Sequence, residues 1–206
     1  MERSMALYMK IFLLLYQKLY WFFHILAYKN KLYMLVFVGS NSSTSINKQL
    51  TLAVLNELKL EHEFIDLNAL NIPLFSQDLE KEIESPEGIR ILMNQIQKHS
   101  HIFITTNEHN QNLSAFFKNV LDWLSRSDVK FLSGKKIFIL STSEGRRGAL
   151  GANESLQNLV TRFGCESFEW VTFPSFSINF DKKKQQILNR ELLDEIYTKL
   201  IRIFKS

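Results

Sequence analysis

The chain reads as an α/β protein: a three-layer, doubly wound, five-stranded parallel sheet in the order 2-1-3-4-5. Three observations predict this. Five short apolar runs, at 35–38, 62–66, 101–105, 135–140 and 168–173, alternate with segments of helical periodicity. The first, third and fourth runs are apolar through their middles without alternation, as in strands buried on both faces. Each of those three then ends in a loop of small polar residues, and loops at the carboxyl ends of such strands line the ligand crevice of a doubly wound sheet.

Residues 1–33 stand apart as an apolar N-terminal extension ahead of a domain at 34–206. They hold Arg3, Lys10, Lys18, Lys29 and Lys31 against Glu2, a net of +4. Taking these from the totals of 25 basic and 21 acidic residues leaves 20 of each, so the basicity behind the pI of 9.1 belongs to the extension. No basic stripe with interleaved aromatics occurs elsewhere. Lys182-Lys183-Lys184 follows Asp181 as a solvated turn would, and nucleic acid is not an expected partner. Within the extension Arg3, Lys10, Gln17, His24 and Lys31 recur every seven residues on a greasy background. Three readings stay open: a membrane-associated helix, an export signal lacking a small-x-small cleavage site, or a true start at Met34 with upstream sequence translated. Membrane association is expected only if the extension is genuine.

The first strand ends at Gly39, and the next residues are Ser, Asn and Thr until Ile46 opens a helix with Leu50, Ala53, Val54 and Leu58 on one face. Strand, hydroxyl-rich loop and helix N-terminus together suit a phosphate. No Gly-Lys-Ser/Thr follows Gly39, and Gly-x-Gly-x-x-Gly is missing, so a monophosphate is the remaining ligand; a capped turn without ligand fits the loop equally well. After the second strand come a loop through Ile72-Pro73-Leu74-Phe75 and an acidic exposed connection at 77–86. Ser85 is expected as N-cap and Pro86 as first residue of a helix carrying Ile89, Leu92, Met93 and Ile96. The third strand leads into the polar loop 106–112 and a helix from Ser114 with Phe117, Val120, Leu121 and Leu124 inside. The fourth strand ends in the loop Ser141-Thr-Ser-Glu-Gly-Arg-Arg-Gly148. A helix over 151–163, the fifth strand and a last helix over about 185–204 complete the chain. In the order 2-1-3-4-5 the loops 39–47, 106–112 and 141–148 converge where the strand order reverses.

A lone cysteine, Cys165, excludes an internal disulfide and a Cys-rich metal site, and suits a reducing cytoplasm. Its setting, Arg-Phe-Gly-Cys, looks like a helix C-cap followed by packing. His24, His62, His99 and His101 lack ligand spacing, so no metal is expected, and no Gly-x-Ser-x-Gly elbow or catalytic dyad is present.

Three segments together carry a family resemblance: Gly39-Ser-Asn-Ser-Ser-Thr-Ser-Ile-Asn47, then Thr106-Asn-Glu-His-Asn110 with Phe117-Lys-Asn-Val-Leu-Asp-Trp-Leu-Ser-Arg126, then Ser141 to Gly148. From about Leu35 to the last helix the chain resembles the NADPH-dependent FMN reductase family, flavodoxin-like oxidoreductases that use FMN and NADPH or NADH. The resemblance implies a small-molecule acceptor (free flavin, quinone, azo dye or metal oxyanion) and a homodimer or homotetramer in the cytoplasm. It places Ser40, Ser42, Ser45, Ile46 and Asn47 around the FMN phosphate. Thr106, Asn107, Glu108, His109 and Asn110 would meet the isoalloxazine, with Ser143, Glu144 and Gly145 bordering it. Arg146 and Arg147 are candidates for the 2′-phosphate of NADPH. No catalytic side chain is implied, because the flavin carries the chemistry.

Three departures from the family pattern matter. Ser42 stands where an Arg often meets the phosphate, and His109 replaces a Tyr. Glu144-Gly145 replaces Pro-Gly, which requires the carboxylate to turn outward. Lys118 and Asp122 fit an exposed ion pair on one helix face. The rival functions are an electron-transfer or redox-signalling flavoprotein of the same fold, and an interaction protein that has lost FMN.

Overall fold

The computed structural model describes residues 33–205. β1 (Tyr33–Val38) is the organising strand: Met34 to Val38 are all buried, and it pairs in parallel with β2 (Glu61–Ile65) on one side and β3 (His101–Thr106) on the other. β3 pairs with β6 (Lys136–Thr142), and β6 with β7 (Ser167–Phe173), again in parallel. The sheet order is β2-β1-β3-β6-β7, which is 2-1-3-4-5 counted over the sheet strands.

Side-chain alternation along these strands divides the core into two layers. Leu35, Phe37, Ile102, Ile104, Ile137 and Ile139 join one cluster with α3 (Glu87–Lys98), α4 (Ala115–Ser127) and α5 (Leu150–Arg162). The alternate residues Met34, Val36, Val38, Phe103, Phe138 and Leu140 are equally buried. They belong to the face on which α1 (Ile46–Leu58) and α7 (Arg190–Lys205) meet the sheet. Each fully buried Val, Leu, Ile or Phe contributes about 1.5–3 kcal/mol, which makes the strand interiors the main source of stability.

The chain departs from sequence expectation in four places. The acidic connection contains a helix, α2 (Gln77–Ile83). It buries no residue, so it has no apolar stripe to announce it; Ser76 caps it, and Asp78 and Glu80 complement its positive end. Ser85 is not the cap of α3. Pro86 occupies that position without a side-chain bond, and the helix begins at Glu87. Loop 106–112 holds a hairpin, β4 (Glu108–His109) with β5 (Asn112–Leu113), turning through Asn110 and Gln111, both at positive φ. The last helix starts at Arg190 rather than near 185, because the amide of Leu192 bonds Asn189 Oδ1 and fixes the helix start there. The preceding stretch is α6 (Phe176–Asn179) and a second hairpin, β8 (Phe180–Asp181) with β9 (Gln186–Ile187), in which Ile187 is buried.

The helix-end reading of Cys165 matches the fold. Gly164 sits at φ +89°, the Cys165 amide bonds Val160 O at 3.1 Å, and partial burial pushes the thiol pKa up. Lys118 and Asp122 form the expected pair. Their neighbours brace a loop: Pro73 O accepts from Asn119 Nδ2 at 2.9 Å and Trp123 Nε1 at 2.8 Å, while the Phe75 amide donates to Asn119 Oδ1 at 2.7 Å. The readings of residues 1–33 lie outside the described residues apart from Tyr33, which opens β1. Among the described residues no helix is long and apolar enough to cross a membrane.

Candidate functional site

Three loops meet at the carboxyl ends of β1, β3 and β6 around a cavity of about 310 Å³. The first loop begins at Gly39, whose amide bonds Thr105 O at 2.8 Å and whose carbonyl accepts from Ser114 Oγ at 3.0 Å. A Cβ here would lie 2.4 Å from Phe117 Cγ, so only glycine lets β1 run this close to α4. Beyond it the hydroxyls order one another. The Ser42 amide donates to Ser40 Oγ, the Thr44 amide to Ser42 Oγ, and Ser45 Oγ caps α1 by accepting from the Lys48 amide at 3.2 Å.

Asn47 lies one residue into α1 and is 3% exposed. Its Oδ1 accepts from the amide of Thr142 at 3.1 Å, tying the first loop to the third across a separation of 95 residues. Thr51 continues the tie below, its Oγ1 at 2.6 Å from that of Thr105 in β3. Oδ1 is thus engaged in the clip, and Asn47 also lines the cavity, where Nδ2 is the atom with the chemistry to donate to a phosphate.

The second loop presents Asn107 and His109. Asn107 Nδ2 lies 3.3 Å from His109 Nε2, while Asn107 Oδ1 is buried without a partner among the described residues. Glu108 lines the cavity, but its Oε2 accepts from the Ala152 amide at 3.1 Å, at the N-terminus of α5. That bond satisfies a helix-end donor and turns the carboxylate from the centre of the cleft. Gly151 permits the approach, since a Cβ there would meet Gln111 O at 2.4 Å.

In the third loop Glu144 has turned outward. Its Oε1 accepts from Ser177 Oγ at 2.8 Å and lies 3.3 Å from Lys182 Nζ, and its Oε2 accepts from the Ser177 amide at 3.0 Å. The Ser177 hydroxyl first, then the Ser177 amide and Lys182, hold this carboxyl below the usual range. The loop closes at Gly148, at φ +58°, where a Cβ would lie 2.8 Å from Phe173 C.

The cavity gathers Ser40, Ser42, Ser45, Ile46, Asn47, Asn107, Glu108, His109, Ser143 and Glu144. Thr106 is not among its walls: it is fully buried, its Oγ1 on Asn107 O. Asn110 sits at the hairpin tip, and Gly145, Arg146 and Arg147 lie outside the lining. Thr44 and Thr142 also line the cavity and were not singled out by sequence. Thr44 is masked by its similar neighbours; Thr142 could have been found only by pairing it with Asn47. A second cavity, of about 540 Å³, contains Arg90 and Arg126, but Glu87 and Glu80 neutralise them.

The family model described as NADPH-dependent FMN reductase matches residues 32–184, a span that includes all three loops. The chain belongs to this family. Relatives within reach of this NADPH-dependent FMN reductase-family chain include a 2-hydroxy-1,4-benzoquinone reductase of Burkholderia, 35% identical over 60% of this chain and 67% of that protein. An uncharacterised protein of Mycoplasma pneumoniae is 34% identical over 51% of this chain and 60% of its own length. The chain thus spans about three fifths to two thirds of these relatives. In fold it is similar to FerB, a flavoenzyme NAD(P)H:(acceptor) oxidoreductase of Paracoccus denitrificans, with a TM-score of 0.67 at 22% identity, covering 84% of this chain and 97% of that one.

FMN is the cofactor of the family, and the residues present fit it. Four hydroxyls and a helix N-terminus form one end of the cavity, as a phosphate requires. In the second loop the orphaned Asn107 Oδ1 lacks a donor, which a ring N–H would supply.

Proposed function

We propose that this chain works as an FMN-dependent NAD(P)H oxidoreductase with a small-molecule acceptor of the quinone or flavin class. The observation that carries the reading is the convergence of three loops on one cavity, to which the first loop brings hydroxyls and the second the amide of Asn107. Bound FMN would accept a hydride at N5 and pass electrons onward.

The protein's own contribution is placement. Ser40, Ser42, Thr44 and Ser45 would hold the phosphate, with α1 adding the positive end of its dipole. Asn47, through Thr142, would keep the first and third loops at a fixed spacing. Asn107 would offer Oδ1 to the ring edge, its amide oriented by His109. Glu108 and Glu144 keep their charge on α5 and on the Ser177–Lys182 side, away from a ring that gains electrons. Arg146 and Arg147, exposed at the third loop, would favour NADPH over NADH through its 2′-phosphate.

The quinone class rests on the benzoquinone reductase named above. A cytoplasmic homodimer or homotetramer completes the proposal, and sedimentation velocity tests its assembly state. An anaerobic titration tests the whole reading. The purified full chain should bind FMN near one per chain, and NADPH should bleach the bound-flavin absorbance, which a quinone then restores. No flavin binding at micromolar concentration would remove the assignment; binding without bleaching would leave an electron-transfer flavoprotein.

A further inference from the structure

Among the described residues the cleft has no Lys or Arg in its lining. An FMN phosphate carries about −1.5 to −2 charge near neutral pH, as other phosphomonoesters do. The ionisable side chains in the lining are Glu108, Glu144 and His109, with no Lys or Arg among them. Lys48, the nearest cation in sequence, is committed elsewhere: its Nζ lies 2.9 Å from Asp66 Oδ2 and over the Phe64 ring.

The β8–β9 hairpin brings three lysines to the rim. Its turn is fixed by Asp181, whose Oδ1 accepts from the amides of Lys183 and Lys184 at 2.9 and 3.0 Å, and by Gln185 at φ +51°. Two anchors then tie the turn to the loops that line the cleft. On one side Lys182 Nζ meets Glu144 of the third loop at 3.3 Å. On the other, Gln185 Nε2 donates to Gln49 Oε1 at 3.3 Å, and Gln49 Nε2 donates to Thr44 O, in the hydroxyl loop itself, at 3.2 Å. Both Glu144 and Thr44 line the cavity. Lys182 is occupied by Glu144, whereas Lys183 and Lys184 are exposed and form no ion pair among the described residues.

We propose that the Asp181–Gln185 turn supplies the cationic part of the phosphate site, Lys183 and Lys184 closing on a phosphomonoester held by Ser40, Ser42, Thr44 and Ser45. This rests on the FMN reading above and commits to the 5′-phosphate of FMN. Hydroxyls and amides fix the position of the phosphate; the flexible ammonium groups neutralise it.

The test is equilibrium titration of the flavin-free full chain with FMN and with riboflavin, which lacks the phosphate, at low and moderate salt. The proteins are wild type, the Lys183→Gln/Lys184→Gln double variant and Lys182→Gln. The double variant should lose roughly tenfold in FMN affinity and part of its salt dependence, with riboflavin affinity unchanged. Lys182→Gln should lose less, because that amine is already paired. Unchanged FMN affinity in the double variant, or equal losses for FMN and riboflavin, would overturn the assignment. So would an intact FMN affinity with a selective rise in the KM for NADPH over NADH, which would give the turn to the 2′-phosphate instead. Wild-type protein binding neither flavin would remove the FMN reading itself, a result separable from all of these.

Discussion

The first and third loops border the same cavity and are built on opposite principles. Residues 39–47 contain no charged side chain; their hydroxyls and amides bond one another, and Asn47 is spent on Thr142. Residues 141–148 carry Glu144, Arg146 and Arg147, and the loop leans on the hairpin that carries Lys182 to Lys184. One loop is preshaped and neutral, the other charged and braced from outside. The lesson is that shape and charge in one binding site can be assigned to separate segments, so that mutations should separate stability from affinity.

The largest effects are expected at the glycine that opens the first loop and the one that closes the third. Gly39→Ala and Gly148→Ala should each destabilise the fold by about 1–3 kcal/mol through overpacking, and Gly148 more than Gly39 because its positive φ adds strain. Urea unfolding midpoints measure this; a Gly148→Ala protein as stable as wild type would show that the third loop is not so tightly set.

Next comes the clip between the loops. Asn47→Ala leaves the buried Thr142 amide without an acceptor and should cost about 1–3 kcal/mol. Asn47→Asp keeps the acceptor but buries a carboxylate at a position only 3% exposed, so it should also lose stability, and it should bind FMN more weakly than wild type through repulsion of the phosphate. Equal FMN affinity in Asn47→Asp and wild type would place the phosphate away from α1.

A smaller effect belongs to the charged loop. If Arg146 or Arg147 meets the 2′-phosphate, its replacement by Ala should reduce kcat/KM for NADPH up to about tenfold, discounted for solvent exposure, and leave NADH unchanged. Parallel losses with both nucleotides, or none in either variant, would end that role.

The smallest is the Glu144 bracket. Its pKa is lowered in the folded protein, so its stabilisation is complete above the ordinary carboxylate range and fades as pH falls through the lowered value. Because the side chain is about half exposed, the global stability change in Glu144→Gln should be only a few tenths of a kcal/mol. A local probe is better suited: at neutral pH trypsin should cut after Lys182 to Lys184 faster in the variant than in wild type. Unaltered cleavage would mean that the other contacts, among them Gln185 on Gln49 and the Ile187 amide on Glu57 Oε1, hold the hairpin without Glu144.

The parallel sheet was legible in the sequence because its strands are buried on both faces, and uninterrupted apolar runs such as Ile102 to Ile104 say so directly. The convergence of the three loops followed from strand order. What escaped detection was everything held by polar contacts at long range. α2 has no buried side chain; the β8–β9 hairpin depends on Asp181 folding back on its own turn; and the bond of Glu108 to the Ala152 amide joins residues 44 apart. Leu188 shows the limit of periodicity: its spacing from Leu192 is helical, yet Asn189 between them is what starts the helix.

β1 is the first strand of the sheet along the chain and lies inside it, with Leu35 registered against Ile102, 67 residues further on. During synthesis, at about 5–20 residues per second, roughly 3–13 s pass between the two emerging from translation. Over that interval the side of β1 that will pair with β3 has no partner, and the run Met34 to Val38 remains a sticky edge. Expression yield of this protein should therefore respond to translation speed and chaperone supply as much as to the stability of the finished fold.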